Sequence, residues 1–162
     1  QPIAEIIGYG STSDATHITQ PHPDGQGGAN AMRLAMSQAN LAHSEIDYIN
    51  AHGTSTPLND NAETQAIKAV FKEHAYKIPI SSTKSMTGHL MGAAGALEAA
   101  VCALTIQRGV IHPTINLFNP DPACDLNYTA WAAIRGPVNT AMTNSLGFGG
   151  HNSSLIVSKF EN

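Results

Sequence analysis

Two histidines in this sequence stand where chemistry is often placed. His52 follows the apolar run Ile46–Ala51, and His89 follows Ile78–Ser82 across a short polar turn. Both runs read as β-strands, and strand-to-helix turns are where open α/β sheets hold their ligands. Each histidine is flanked by glycine and hydroxyls: Gly53, Thr54 and Thr56 beside the first, Thr87 and Gly88 beside the second. Glycine admits a substrate close to the backbone. His89 is expected at the start of a helix, where the macrodipole disfavours imidazolium. A neutral imidazole can then donate an N–H to a developing oxyanion. Either histidine alone is better read as an ordinary structural one; the pair at two strand ends points to a site.

Three further features belong to that chemistry. Lys84 lies in the same turn as His89, and a lysine in a mostly apolar setting needs a partner. Glu98, on the helix behind it, is the acidic candidate. The stretch N-S-L-G-F-G-G-H-N, residues 144–152, carries Gly147 and Gly149 around Phe148. Its glycines can present backbone N–H groups to an oxyanion, with Phe148 as a flap, or it is a plain hairpin turn. A nucleophile is missing. Cys102 falls in an apolar helical stretch and reads as a small buried hydrophobe. Cys124 lies in a Pro/Asp loop with no base beside it. His17 and His22, in the loop from Ser11 to Gly28, have no Cys or third His near them in sequence, which argues against a metal site. Residues and spacing alone therefore give an α/β half-site for acyl or carbonyl chemistry, with its nucleophile elsewhere.

The elements that position these groups alternate between strand and helix. Ile3–Tyr9 reads as a strand. A helix from Ala29 carries Met32, Ala35, Met36 and Ala39 at i, i+3, i+4 and i+7. A second helix, Ala62–Lys72, takes its cap from Asn59 or Asp60 and faces the core with Ile67, Val70 and Phe71. The helix Leu90–Gln107 is expected to bury Leu97, Val101, Leu104 and Ile106. Val110–Leu117 is expected as an edge strand because of Pro113. Ala141–Ser145 and Ser154–Phe160 are the last strands, antiparallel across a short turn. The pattern predicts an α/β layered domain with a mixed, largely parallel sheet and helices on both faces.

Composition narrows the partners. The 162 residues suit one domain. A net charge of −4 without a basic run argues against nucleic acid and anionic membrane. No apolar run reaches membrane-spanning length, and the first residues do not read as a signal peptide. Charged residues are only 12%, which suggests that part of the surface is covered by another domain or subunit. Residue 1 is not Met, so the chain is expected to begin within a longer one.

Four stretches together carry a family resemblance: I-N-A-H-G-T-S-T-P (49–57), S-S-T-K-S-M-T-G-H-L-M-G-A-A-G-A-L-E (81–98), P-T-I-N-L (113–117) and N-S-L-G-F-G-G-H-N (144–152). They resemble the type II, elongating β-ketoacyl-acyl-carrier-protein synthases. The resemblance implies the C-terminal half of a thiolase-like fold, residues 1–162, with the nucleophilic Cys in an N-terminal half that this chain does not contain. It implies condensation of an acyl thioester with malonyl-acyl-carrier protein in fatty-acid elongation. His52 and His89 would be the catalytic pair, Lys84 the essential lysine, Glu98 its partner and Phe148 the gate. Thr54 and Thr56 would contact the phosphopantetheine arm, which arrives on the carrier protein, so no cofactor of its own is expected. Asn50, Glu98, Thr143 and Asn152 fall where some members hold a monovalent cation. Acyl-carrier protein, the missing half and a homodimeric copy are the implied partners, in a bacterial cytoplasm or an organelle stroma or matrix. The alternatives are a polyketide ketosynthase half or a non-catalytic chain-length-type subunit. Asn59, Leu146 and His151 depart from the family's usual Gly, Phe and Thr. By itself the chain lacks the nucleophile and is expected to be inactive.

Overall fold

The computed structural model describes residues 2–161. Strand β1 (Ala4–Ser13) leads through a loop to helix α1 (Gln26–Ala39). Strand β2 (Tyr48–Asn50) is followed by α2 (Pro57–Phe71), and β3 (Ile80–Ser81) by the single turn α3 (Lys84–Thr87). Helix α4 (Ala94–Arg108) precedes β4 (Val110–Ile111), β5 (Ile134–Arg135), β6 (Thr140–Gly147) and β7 (His151–Lys159). The main sheet has 5 strands in the order β1-β7-β6-β2-β3. β2 is parallel to both neighbours, whereas β7 is antiparallel to β1 and β6. Four strands therefore run one way and β7 is reversed, the mixed, largely parallel sheet that the sequence predicts.

Side chains alternate across the sheet, as the pleat requires. Ile49, Met142 and Ile156 pack with Met32, Ala35, Ile67 and Phe71 of α1 and α2. Tyr48, Ala141 and Val157 pack on the other face with Cys102 and Ile106 of α4. The Met stripe of α1 is core, as expected, and burying each large side chain contributes about 1.5–3 kcal/mol. Close contact between α1 and β1 depends on glycine: a Cβ on Gly10 would lie 2.0 Å from the carbonyl oxygen of Ala31.

Some expectations shift. Helix α2 starts at Pro57 with Thr56 at its N-cap, not at Asn59 or Asp60, because Pro is pre-organised for the first helical position. Helix α4 begins only at Ala94, after a 3₁₀ turn over Met91–Ala93. Its buried stripe is Ala94, Glu98, Cys102, Thr105 and Ile106. Leu97 and Val101 are half-buried and Leu104 is exposed, so three of the four expected core residues face away from the sheet. Small residues on the inner stripe let the helix close on the strands. The strand expected over Val110–Leu117 stops at Ile111 and pairs with β5 in a separate ribbon. Pro113 has no N–H to extend a ladder. The following crossover instead covers the free edge of β3, where the Ile80 N–H donates to the Asn127 carbonyl at 2.8 Å. Among the described residues no helix is long and apolar enough to cross a membrane.

Candidate active site

β2 and β3 are adjacent and parallel, so the turns leaving them open at the same end of the sheet. This brings His52 and His89 together, with ring centroids 5.4 Å apart and planes nearly perpendicular. Ser82 ties the turns to each other, its hydroxyl donating to the Gly53 carbonyl at 2.8 Å. His52 is buried, and its pKa falls to about 3. Desolvation is the main cause, followed by the positive charges of Lys84 and His89. The ring is therefore neutral at physiological pH.

His89 is placed differently from the sequence expectation. It precedes a 3₁₀ turn and does not stand at the N-terminus of α4. The macrodipole expected to disfavour its imidazolium is therefore not at hand, and its tautomer is set by a single amide. The Met91 N–H donates to His89 Nδ1 at 3.1 Å. In the neutral ring the proton must then sit on Nε2, leaving that nitrogen as a donor.

The lysine has the partner the sequence suggests. Lys84 Nζ lies 2.5 Å from Glu98 Oε1, and both side chains are buried. Burial pushes the Glu98 carboxyl upward, and the Lys84 ammonium opposes that rise. Glu98 Oε2, Asn50 Oδ1, Thr143 Oγ1 and His52 Nδ1 are buried without hydrogen-bond partners among the described residues. Asn50 and Thr143 are directly paired across β2 and β6. The fourth expected cation ligand does not join them. Asn152 alternates onto the α1 face with Ser154 and Ile156, and its Nδ2 donates to Asp14 Oδ1 at 2.7 Å.

Beside the histidines lies a cavity of about 540 Å³, lined by Gly53, Thr54, Thr56, Lys84, Ser85 and His89 among others. The Thr54 and Thr56 hydroxyls are exposed and 3.0 Å apart. Phe148 is 77% exposed, so it is not a core residue. Gly149 has φ +80°, which favours glycine at that point of the turn. Its N–H is committed to the Ile18 carbonyl at 2.7 Å, so it is not a free oxyanion donor as the sequence suggested. Cys102 is fully buried and burial raises its pKa. Burial also raises the Cys124 thiol. Neither is poised as a thiolate nucleophile.

The sequence profile of the family described as Beta-ketoacyl synthase, C-terminal domain matches residues 3–118. The 3-oxoacyl-[acyl-carrier-protein] synthase 2 of Staphylococcus aureus (strain COL) is 52% identical over 98% of this chain. The chain belongs to the β-ketoacyl synthase family. It spans 38% of the length of that relative. Among solved structures, a type II polyketide ketosynthase in complex with its acyl-carrier protein matches 98% of this chain and 39% of its own, at TM-score 0.95 and 42% identity. A β-ketoacyl synthase from Burkholderia phymatum matches 98% of this chain and 38% of its own, at TM-score 0.91 and 44% identity. The thiolase-like fold expected from the motifs is thus the fold observed.

This β-ketoacyl synthase domain also contains a site residue that motif reading passed over. Glu63, on α2, is buried, and its two oxygens accept the N–H groups of His52 and Gly53, each at 2.9 Å. Asn144 Nδ2 donates to Oε1 at 3.3 Å, and Ser154 donates to Asn144 Oδ1 at 2.7 Å. The carboxylate thereby fixes the backbone of the His52 turn. A signal was present in the sequence: Glu63 continues the apolar stripe of Ile67 and Val70 at i, i+4 and i+7. An acidic residue on a buried stripe requires donors.

Proposed function

We propose that this chain supplies the histidine pair, lysine and gating turn of a 3-oxoacyl-acyl-carrier-protein synthase that elongates fatty acids. The observation that carries the reading is the perpendicular His52–His89 pair at the ends of adjacent parallel strands. Two ring N–H donors facing one space suit one developing enolate oxygen. Malonyl thioester would lose carbon dioxide by breaking its Cα–carboxylate bond. The electron pair moves into the enolate, whose oxygen accepts the two N–H donors. The enolate carbon then forms a C–C bond to an acyl thioester, and a Cys thiolate leaves. That Cys would lie in the larger part of the relatives' length that this chain does not span. Thr54 and Thr56 would receive the phosphopantetheine arm of an acyl-carrier protein, the only prosthetic group this reading requires. Phe148, exposed on its turn, would gate entry.

The outward apolar flank of α4, with Leu97, Val101 and Leu104, favours a second layered half packed there. Homodimerisation and a cytoplasmic or organellar location follow from the same reading. The orphaned oxygens of Asn50, Glu98 and Thr143 fit a monovalent cation in donor chemistry; Asn152's side chain does not contribute. A non-catalytic chain-length subunit is disfavoured by the retention of His52, Lys84 and His89. The test is malonyl-carrier-protein decarboxylation by the full-length protein containing this chain. Loss of decarboxylation in His52→Ala is expected; a wild-type rate would overturn the reading.

A further inference from the structure

His112 follows β4 and takes no part in the reaction proposed above. Its ring lies edge-to-face against Tyr48, with centroids 6.3 Å apart. Nδ1 is 3.1 Å from the Pro113 carbonyl oxygen. A carbonyl oxygen only accepts, so Nδ1 carries the proton. Burial lowers the pKa of this ring, which favours its neutral form. Nε2 is then a bare acceptor. Three hydroxyls face it: Thr83 Oγ1 at 3.1 Å, Tyr48 Oη at 3.2 Å and Ser81 Oγ at 3.3 Å. Ser81 also lies 3.4 Å from Nδ1 and bonds Tyr48 at 2.8 Å. Thr83 Oγ1 already accepts from Asn50 Nδ2 at 2.8 Å, so its own proton is directed at Nε2.

We propose that His112 is a positioning residue for the buried side of this site, acting through Thr83 on the Asn50 amide and the Lys84 turn. The donors run in one direction: Asn50 N–H to Thr83, Thr83 O–H to His112, His112 Nδ1–H to Pro113. With Nδ2 committed, Asn50 presents Oδ1, the atom left buried and unpartnered on the face that also carries Glu98 Oε2 and Thr143 Oγ1 among the described residues. Thr83 occupies the N-cap of α3, where a Thr hydroxyl ordinarily accepts from the first helical amides. It makes no such bond here. Its hydroxyl is turned to Asn50 and His112 instead, and this sets the side chain one residue before Lys84. The effect on catalysis rests on the proposed roles of Lys84 and His89.

The experiment uses the full-length protein. His112→Phe keeps a ring and removes both nitrogens; His112→Gln restores an acceptor and a donor. His112→Phe is expected to lower kcat for malonyl-carrier-protein decarboxylation by about 10- to 100-fold, through misplacement rather than lost binding, with KM changed by less than about threefold. His112→Gln should recover to within about threefold of wild type. Nitrogen-15 histidine spectra of the wild-type protein should show His112 protonated at Nδ1. A wild-type kcat in His112→Phe, no recovery in His112→Gln, or a proton on Nε2 would each overturn the proposal. His52→Ala serves as the control. If it is inactive while His112→Phe is normal, only this inference fails; if it retains full decarboxylation, the functional reading fails instead.

Discussion

The two faces of the central sheet bury polar groups in opposite ways. On the α1/α2 face, Glu63 is satisfied by two backbone amides and Asn144, and Asn144 by Ser154. On the α4 face, Asn50, Glu98 and Thr143 each keep an unpartnered oxygen among the described residues. The first face is a finished core with one carboxylate built into it. The second carries the buried Lys84–Glu98 pair and is where the helix turns Leu97, Val101 and Leu104 outward. Full satisfaction gives a rigid support, whereas unpaired polar atoms at close quarters mark a place prepared for something else.

The contrast is broken most forcefully at the Lys84–Glu98 pair. Lys84→Met leaves a buried carboxylate alone and should lower stability by about 3–5 kcal/mol. The double substitution Lys84→Met with Glu98→Leu should regain most of that, since a buried pair is often no better than an apolar one. Urea unfolding of the full-length protein measures both. A single substitution that costs nothing would mean that the pair is more hydrated than its burial indicates.

The histidines come next. His52→Ala and His89→Ala should each reduce malonyl decarboxylation by about 100- to 1000-fold, as the loss of one oxyanion donor does elsewhere. Burial of His52 also gives a pH prediction. Its folded pKa is about 3, against about 6.5 unfolded. The unfolded chain therefore takes up a proton that the folded one refuses. His52's contribution is complete above the unfolded value and is lost as pH falls through this window towards about 3. Melting curves should show His52→Phe to be less sensitive to acid than wild type between these limits; identical profiles would count against a neutral buried ring.

On the finished face the expected effect is smaller. Glu63→Gln keeps the shape but turns an amide N–H₂ towards backbone donors, so about 1–3 kcal/mol should be lost. Thermal unfolding alongside decarboxylation would show stability and kcat falling together, because the same oxygens hold the His52 backbone. A loss of stability with full activity would reduce Glu63 to a core residue.

Phe148 should show the least effect on stability. Being exposed, Phe148→Ala should change it by less than about 0.5 kcal/mol. The gating role proposed for it predicts a separate result, an increase in malonyl decarboxylation without an acyl primer. No change in unprimed turnover would eliminate the gate.

Much of this was legible in the residues themselves. The 3.6-residue stripe of Met32, Ala35 and Met36 and the strand ahead of His52 fixed the local elements, because apolar periodicity is a property of the chain alone. The glycine and hydroxyl setting of His52 and His89, and the motifs around them, pointed to their pairing and to the family. The helix face was not legible. Leu97, Val101 and Leu104 form as good a helical stripe as Ala94, Glu98 and Cys102, and periodicity does not say which one meets the sheet.

Hydrogen-bond direction was also decided only by the fold. The tautomer of His89 follows from the Met91 amide, the rigidity of the His52 turn from Glu63, and the separation of Asn152 from Asn50 and Thr143 from the strand register. Sequence determined which groups this protein owns and roughly where each element begins. The tertiary structure decided which lone pairs and protons face one another. Pairing between distant segments depends on strand order and register, and a one-residue shift in register moves a side chain to the opposite face of the sheet.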